Sequence, residues 1–357
     1  MNLAAEAPRD GRSLLLIAGS GRSGTSLLAG LMGRLGFHIP LPEVKADDSN
    51  PRGFGEPRWA VDFHKELLRL QNVAPEDGRP WAWTATEKVA AQEHTRRRLR
   101  EWLEEQFSHG GRVVVKDPRL AWFLDLYLRT AEELGASVSV VTMLRHPAES
   151  IKSREMAYGT GNNAVTRTAG WLNMMLGTEE RTRALPRAIV RFDDLLGDWR
   201  SALAAAEQQL AIPLAGSAPE EQLRHAGELV DVSLRRAAAG WPALALPGDV
   251  QALAQATYEA LDHLALGEQP QEARLTLDGL RDRYVKHYEN AESFARSSIR
   301  AARVEESRKL ARQGGPGAGA AGAAKAGGGG LRRWARRLRT AVSRARARGS
   351  RLLRPGS

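Results

Sequence analysis

Short, strongly apolar runs alternate with longer amphipathic stretches over the first half of the chain. The runs occupy residues 14–18, 112–116, 137–144 and 188–192, and the last three are rich in β-branched residues. Such runs are typical of strands that are buried on both faces, as they are in a parallel sheet. We therefore predict four buried strands.

Apolar residues recur every three or four positions between these runs, which predicts amphipathic helices. The predicted helices cover residues 25–35, 59–70, 87–107, 120–134, 147–156 and 164–184. Strands that alternate with helices along the chain favour an α/β fold, with a parallel sheet flanked by helices on both faces.

The chain changes character after about residue 200, where the sequence predicts helices and loops but no further strand. We assign residues 1–290 to one α/β domain with a helical C-terminal part, and residues 291–313 to a charged helix. Residues 314–330 are rich in Gly and Ala, cannot build a core and are predicted to be a linker. Residues 331–357 form a basic tail that we expect to be disordered.

Most of the excess positive charge lies in this tail. The 357-residue chain has 52 Lys and Arg against 42 Asp and Glu, and ten of the arginines lie in residues 331–357, which contain no acid. The charges of the remaining chain therefore balance. A folded nucleic-acid-binding domain would carry its positive charge on its own surface. The composition thus argues against a specific nucleic-acid partner.

The tail has the pattern of a helix that lies on an anionic membrane surface. Leu331, Trp334, Leu338 and Val342 fall at helical spacing, with arginines on the other faces. A solubilising tail and a contact with another polyanion remain open. The chain has no Cys, which fits a reducing compartment, and no apolar stretch of about 20 residues that could span a bilayer. We expect a cytoplasmic protein that can attach peripherally to the inner face of the membrane.

A glycine-rich loop lies between the first predicted strand and the first predicted helix. Its sequence is Gly19-Ser20-Gly21-Arg22-Ser23-Gly24-Thr25-Ser26. A strand, a glycine loop and a helix in this order are typical of a P-loop, in which backbone N–H groups hold phosphates. The lysine of ATP- and GTP-binding loops is replaced by Thr25. Arg22 instead supplies a cation at the crown of the loop, where it could stabilise charge on a leaving phosphate.

This loop resembles the 5'-phosphosulfate-binding loop of sulfotransferases that use 3'-phosphoadenosine 5'-phosphosulfate (PAPS), in which a basic residue precedes Ser-Gly-Thr-[Ser/Thr]. The resemblance implies a P-loop-type α/β fold, PAPS as co-substrate and no required metal. It assigns residues 19–26 to binding the phosphosulfate.

A second motif, Arg145-His-Pro-Ala-Glu-Ser-Ile-Lys-Ser153, begins at the end of the third predicted strand. Sulfotransferases have the same pairing, in which the arginine and the serine bind the 3'-phosphate of the nucleotide. A strand end and the second turn of the next helix can converge on one phosphate. Alternatively, Arg145 pairs with Glu149 and Ser153 is a neutral helix residue.

The candidates for the general base follow the glycine loop. The segment Asn50-Pro-Arg-Gly-Phe-Gly-Glu56 resembles the Asn-Pro-x-Gly-x-x-Glu segment of bacterial carbohydrate-type sulfotransferases, which makes Glu56 the first candidate. Glu56 could instead only interact with the N-terminal dipole of the next helix. His64, on that helix, is the second candidate, although a lone helical histidine is more often structural.

The tetrapeptide Lys116-Asp-Pro-Arg119 ends the second predicted strand, so its charged groups should emerge at the same sheet edge as the two phosphate motifs. The same tetrapeptide occurs at this place in these sulfotransferases. We assign Lys116 to the sulfuryl oxygens or the acceptor, and Asp117 to holding the loop or the acceptor. Alternatively, Asp117 and Pro118 only start the next helix.

The acceptor is less well defined by the sequence. Phe54, Trp59, Trp81 and Trp83 could stack on a sugar ring, although we expect at least half of them in the core. The Arg-Lys-Gly motif of small-molecule sulfotransferases is absent, which argues against a phenol or steroid acceptor. We predict transfer of a sulfuryl group to a hydroxyl of a glycan or lipid-linked saccharide.

Two other functions remain open. A P-loop nucleotide kinase would need magnesium and a lysine near the β- and γ-phosphates, for which Lys116 is the candidate. A non-catalytic adaptor would bind an anionic membrane or polymer through residues 331–357. Deletion of the tail separates these functions, because an enzyme would keep its turnover on a soluble acceptor.

Overall fold

The computed structural model describes residues 11–159, 163–210, 212–216, 218–235 and 239–313. The predicted linker and basic tail lie outside the described residues. Residues Met1–Asn290 form one compact unit, which contains every side chain discussed below.

A parallel four-stranded sheet forms the centre of this unit. The strands are β1 (Ser13–Ala18), β2 (Arg112–Lys116), β3 (Ser137–Leu144) and β4 (Arg187–Arg191), in the order β2-β1-β3-β4. All four predicted strands are confirmed, with end shifts of one residue in β1 and β4. Since the strands are parallel, their carboxyl ends meet at one edge of the sheet.

Helices cover both faces of the sheet. The helices of the described residues are α1 (Thr25–Arg34), α2 (Arg58–Leu70), α3 (Ala82–Ala90), α4 (Glu93–His109), α5 (Leu124–Glu133), α6 (Pro147–Tyr158), α7 (Ala164–Thr182), α8 (Phe192–Gly197), α9 (Trp199–Glu207), α10 (Glu220–Gly227), α11 (Gly248–Leu266) and α12 (Pro270–Gln313). The α/β fold class is therefore confirmed. Past residue 200, the described part of the chain contains helices and turns but no strand, as predicted.

Three predicted helices differ from the observed ones. The charged helix predicted over 291–313 is the C-terminal part of α12, which begins at Pro270. The single helix predicted over 87–107 is two helices, α3 and α4, because Gln92 adopts an extended conformation between them. The helix predicted over 120–134 begins with a 3₁₀ turn, Leu120–Phe123, before α5. Short 3₁₀ turns are common at helix N-termini.

The strand β1 shows how the core is divided. Leu14 and Leu16 belong to the hydrophobic cluster under α2 to α5, whereas Leu15 and Ile17 belong to the cluster under α1, α9 and α10. Side chains of a strand point alternately to the two faces of the sheet, so the continuous apolar run is explained by burial on both sides.

No described helix is long and apolar enough to cross a membrane.

Candidate active site

The glycine loop lies between β1 and α1, as predicted. Gly19, Arg22 and Gly24 have positive φ angles of 129°, 69° and 96°, which turn the chain sharply toward the helix. A Cβ atom at Gly19 would lie 2.8 Å from the carbonyl oxygen of Met143 on β3. A Cβ at Gly24 would lie 2.4 Å from the ring of Phe192. A side chain at either position would strain the positive-φ backbone and clash with a neighbouring residue, so both positions require glycine.

Side chains of the loop hold its shape. Ser20 and Ser23 are buried, and Ser23 Oγ donates a hydrogen bond to the carbonyl oxygen of Ser20 (2.6 Å). Gly24 precedes the first turn of α1, where backbone N–H groups are free of partners within the helix and favour an anion. The loop can thus bind an anionic group through its backbone.

Arg22 joins the loop to the second predicted motif. Its Nε donates to Ser153 Oγ (3.1 Å), and its carbonyl oxygen accepts a hydrogen bond from Arg145 Nη1 (3.1 Å). Arg145 lies at the end of β3 and Ser153 lies in α6. The two motifs therefore meet at one sheet edge, close enough for a single nucleotide to contact both.

Arg145 also forms the ion pair that we considered as an alternative. Its Nε lies 2.9 Å from Glu149 Oε2, and its guanidinium stacks on Phe192, 4.4 Å from the ring centre. Burial lowers the pKa of Arg145, and the hydrogen bond with Glu149 opposes this effect. Arginine nevertheless stays charged at neutral pH. The Glu149 pair orients the guanidinium without removing it from the cleft.

Lys116 and Glu56 form a buried ion pair at the end of β2. Lys116 Nζ lies 2.6 Å from Glu56 Oε1, 3.2 Å from Ser26 Oγ and 3.1 Å from the carbonyl oxygen of Phe54. A lysine ammonium has three N–H donors, so these contacts use all of them. Lys116 must exchange one contact before it can donate to a ligand.

Asp117 and His64 form a second pair, which lies in the core. His64 Nδ1 lies 2.7 Å from Asp117 Oδ2, and His64 Nε2 lies 3.0 Å from the hydroxyl oxygen of Tyr127, both within hydrogen-bonding distance. Asp117 Oδ1 accepts from the backbone N–H of Arg119 (3.1 Å) and from its side chain, so Asp117 holds the loop after β2. Burial would raise the pKa of Asp117, but the hydrogen bond and charge at His64 and the charge of Arg119 lower it overall.

The position of His64 is a correction. His64 is fully buried, both of its ring nitrogens are bonded within the core, and it does not line the cleft. A base must reach the proton that it removes, so we do not assign catalysis to His64. The sequence contained the signal, because His64 lies on the apolar face of α2 with Ala60, Phe63 and Leu67.

A cleft of about 400 Å³ opens at the carboxyl edge of the sheet. This volume is within the range of small-molecule sites. Of the predicted site residues, those that line the cleft are Gly21, Arg22, Gly24, Thr25, Ser26, Glu56, Lys116, Arg145 and Ser153. Gly19, Ser20 and Ser23 lie outside its lining, and the two serines are buried within the loop.

The strand order divides the cleft into two sides. The β3 side carries the residues that follow β1 and β3, which include Arg22, Arg145 and Ser153. The β2 side carries Lys116, which ends β2, Glu56, which precedes α2 and pairs with Lys116, and the cleft-lining residues of α2. The predicted nucleotide contacts thus lie mainly on one side, and the predicted base lies on the other.

Comparisons with solved structures give distant matches, among them three sulfotransferases. No protein-family model matches the chain, and no curated protein matches it. The sulfotransferase domain of the Synechococcus PCC 7002 olefin synthase is 19% identical, with coverage of 70% of this chain and 96% of that domain and a TM-score of 0.39.

Two further matches are of the same kind. The sulfotransferase domain from the curacin biosynthetic pathway is 17% identical, with coverage of 68% and 96% and a TM-score of 0.38. Sulfotransferase STF1 from Mycobacterium tuberculosis H37Rv is 17% identical, with coverage of 60% and 71% and a TM-score of 0.34. Identities and TM-scores this low assign neither an activity nor a substrate to this chain.

The structure adds Arg154 to the cleft, which the sequence did not predict. Arg154 follows Ser153, is buried, and forms an ion pair with Glu76. A Cβ at Gly21 would lie 2.5 Å from Arg154 Nη2, so the bare glycine makes room for this guanidinium at the loop crown. Burial lowers the pKa of Arg154, and the charge of Glu76 opposes this effect. Glu76 lies far from Arg154 in sequence, and no motif linked them.

Most of the predicted stacking aromatics lie in the core or between helices. Trp59 stacks on Trp102 (4.5 Å between ring centres), Trp83 contacts Trp122 (4.3 Å), and Trp81 meets another ring edge-on. Phe54 alone of the four lines the cleft. Trp83 is buried in the core and Trp59 is partly buried against the same cluster, so half of the four pack there, as expected.

Proposed function

We propose that this protein transfers a sulfuryl group from PAPS to a hydroxyl group. The observation that carries the proposal is the contact of Arg22 with both Arg145 and Ser153. These contacts make the phosphate loop and the second anion-binding pair parts of one site. PAPS has anionic groups at both ends of its ribose, so one molecule could use both motifs.

The β3 side would bind the donor. Backbone N–H groups of the loop and the first turn of α1 would hold the 5'-phosphosulfate, with Arg22 beside the bridging oxygen. Arg145 and Ser153 would bind the 3'-phosphate, where the planar guanidinium suits a phosphate. Ligands of open α/β sheets bind in this position, outside the carboxyl ends of the strands.

The β2 side would bind the acceptor and remove its proton. The acceptor oxygen attacks the sulfur, the bond from sulfur to the bridging phosphate oxygen breaks, and the hydroxyl proton passes to Glu56. The products are a sulfate ester and 3'-phosphoadenosine 5'-phosphate (PAP). Lys116 would hold Glu56 in place, and it could exchange its contact with Ser26 for a sulfuryl oxygen.

The acceptor that we propose is a hydroxyl of a glycan or lipid-linked saccharide. The bacterial carbohydrate-type resemblance of residues 50–56 supports it, and Phe54 is available in the cleft for contact with a ring. We further propose a cytoplasmic protein whose residues 331–357 bind the anionic inner face of the membrane. Co-sedimentation with anionic vesicles, compared with neutral ones, tests the membrane contact.

A P-loop kinase is the second candidate, because Lys116 Nζ lies 3.2 Å from Ser26 Oγ at the end of the loop. In this position it could contact the outer phosphates of ATP. Isothermal titration with PAP, and with ATP plus magnesium, decides between the two. Sulfuryl transfer requires tight binding of PAP without metal. Preference for ATP with magnesium would contradict the PAPS assignment.

The adaptor remains a third candidate. A protein without residues 331–357 should keep its PAPS-dependent turnover on a soluble acceptor if the cleft is catalytic. Retained PAP binding with no turnover on any acceptor tried would instead favour the adaptor.

A further inference from the structure

Among the charged side chains of helix α2, those that line the cleft are all cations. Arg58 and Lys65 line the cleft and lie two turns apart on one helical face. The acids Asp62 and Glu66 are on the same helix but do not line the cleft, and Glu66 binds Arg98 with both carboxylate oxygens. The fully described helix α2 therefore presents cations and no carboxylate to the cleft.

The charges of Arg58 and Lys65 are poorly neutralised. Arg58 Nε lies 3.8 Å from Asp62 Oδ2, and both side chains are more than half exposed, at 52% and 61%. An exposed pair of this length contributes little. Lys65 has no carboxylate within ion-pair distance among the described residues. Both cations are therefore available to a ligand.

Arg119 adds a third cation from the loop that follows β2. Its Nη1 lies 2.6 Å from Asp117 Oδ1, but Asp117 is shared with His64. Arg119 Nε has no hydrogen-bond partner among the described residues. One carboxylate thus serves both side chains, with Oδ1 bound to Arg119 and Oδ2 bound to His64.

The donor does not account for these cations. Arg22 and Arg145 lie on the β3 side with the phosphate loop, and Lys116 is already paired with Glu56. Arg58, Lys65 and Arg119 lie on the β2 side, where the acceptor would bind. A neutral acceptor would cover these charges without pairing them, which costs free energy.

We infer that the acceptor carries an anionic group, a phosphate, carboxylate or sulfate, which Arg58, Lys65 and Arg119 bind on the β2 side. The inference rests on the proposed function, because it takes the β3 side to be filled by the nucleotide. Phe54 is the one predicted stacking aromatic that lines the cleft. Charge, more than ring stacking, therefore selects the saccharide.

The test uses the whole protein saturated with PAP, so that the phosphate loop is occupied. Glucose 6-phosphate is titrated by calorimetry, with glucose and inorganic phosphate as matched probes. We expect glucose 6-phosphate and phosphate to bind and glucose to bind much more weakly. Arg58→Gln and Lys65→Gln should each weaken glucose 6-phosphate binding roughly threefold to tenfold, and added salt should weaken it further.

Arg69→Gln is the matched control, because Arg69 is an exposed arginine of α2 that does not line the cleft. It should leave binding of all three probes unchanged. The inference is overturned if the PAP-filled protein binds glucose 6-phosphate no better than glucose, or binds phosphate but not the sugar phosphate. It is also overturned if Arg69→Gln weakens binding as much as Lys65→Gln.

Failure of the proposed function gives a different result. A protein that does not bind PAP contradicts both the donor assignment and the inference that depends on it. PAP binding with no preference for an anionic sugar contradicts only the inference.

Discussion

Two acid–base pairs lie back to back at the carboxyl end of β2. Lys116 binds Glu56 in the cleft at 2.6 Å, and the next residue, Asp117, binds His64 in the core at 2.7 Å. Both side chains of the core pair are 0% exposed, whereas Glu56 keeps 10% of its side chain exposed. The two pairs have similar distances, but only the Lys116–Glu56 pair is exposed to the cleft, so only that pair can contact a ligand.

The difference follows from strand geometry. Consecutive residues of a strand point to opposite sides, so Lys116 and Asp117 diverge where β2 ends. The core pair is closed by Tyr127 and Arg119, which use its remaining hydrogen-bonding positions. We expect the cleft pair to control turnover and the core pair to control stability.

Glu56→Gln is the substitution with the largest expected effect. The amide keeps the shape of the side chain but cannot accept the acceptor's proton, so kcat/KM should fall by about 100- to 10,000-fold. Lys116 then keeps a buried charge without a carboxylate, so the variant also loses stability. Rates are therefore expressed per site that binds PAP.

Glu66→Gln is the matched control for Glu56→Gln. Glu66 is an acid of α2 that pairs with Arg98 and does not line the cleft. Its kcat/KM should stay close to that of the wild type. Near-normal turnover in Glu56→Gln would show that the Lys116–Glu56 pair is structural. The cleft pair would then not differ in function from the core pair.

Asp117→Asn should have the second largest effect, on stability instead of turnover. Removal of one partner of a buried pair should lower the free energy of unfolding by about 3 kcal/mol, which denaturant unfolding measures. At saturating acceptor, turnover per PAP-binding site should change little, because Lys116 and Glu56 keep their contact. The assignment of the core pair fails if this variant stays stable and loses turnover.

The dependence of stability on acidic pH tests the role of Asp117 in the core pair further. The pKa of Asp117 is lowered in the folded protein from its ordinary value of 3.8. The stability that Asp117 contributes is complete above its unfolded pKa and is lost as the pH falls through the lower, folded pKa. Below about pH 4, the wild type should therefore lose stability more steeply than Asp117→Asn, by at most about 1.4 kcal/mol per pH unit.

The sequence predicted the β3 side of the site better than the β2 side. Local patterns were sufficient for the strands, for the glycine loop, and for the spacing of Arg145 and Ser153. The β2 side depends on tertiary packing, which places Glu56, just before α2, in the cleft and turns His64 of α2 into the core. On the β3 side, the contact that the sequence did not predict is that of Arg154 with Glu76 of a distant loop. No local pattern encodes such a contact.

Ser153→Ala has a smaller expected effect, confined to one phosphate. Loss of a hydroxyl that donates to a charged phosphate should weaken PAP binding roughly tenfold. Binding of adenosine 5'-phosphate, which lacks the 3'-phosphate, should not change. Ser150→Ala is the control, since Ser150 is a buried serine of α6 that does not line the cleft. Equal losses for both nucleotides would show that Ser153 acts through Arg22 instead.

The smallest expected effect is the difference in the free energy of unfolding between Arg22→Gly and Arg22→Gln. Arg22 has a φ of 69°, a left-handed conformation that glycine adopts without strain and other residues do not. Both variants lose the contact with Ser153, but only Gln keeps the strain. The glycine variant should therefore be more stable than the glutamine variant by about 0.5–1 kcal/mol in denaturant unfolding.

Turnover should be low in both Arg22 variants, because neither has a cation beside the bridging oxygen. Stability and turnover would then respond to different properties of one residue, its backbone conformation and its charge. If Arg22→Gln kept normal turnover, the loop amides alone would stabilise the leaving phosphate. The strained position would then serve only to bring Arg22 to Ser153 and Arg145. The cleft would in that case contain a structural contact like those of the core pair.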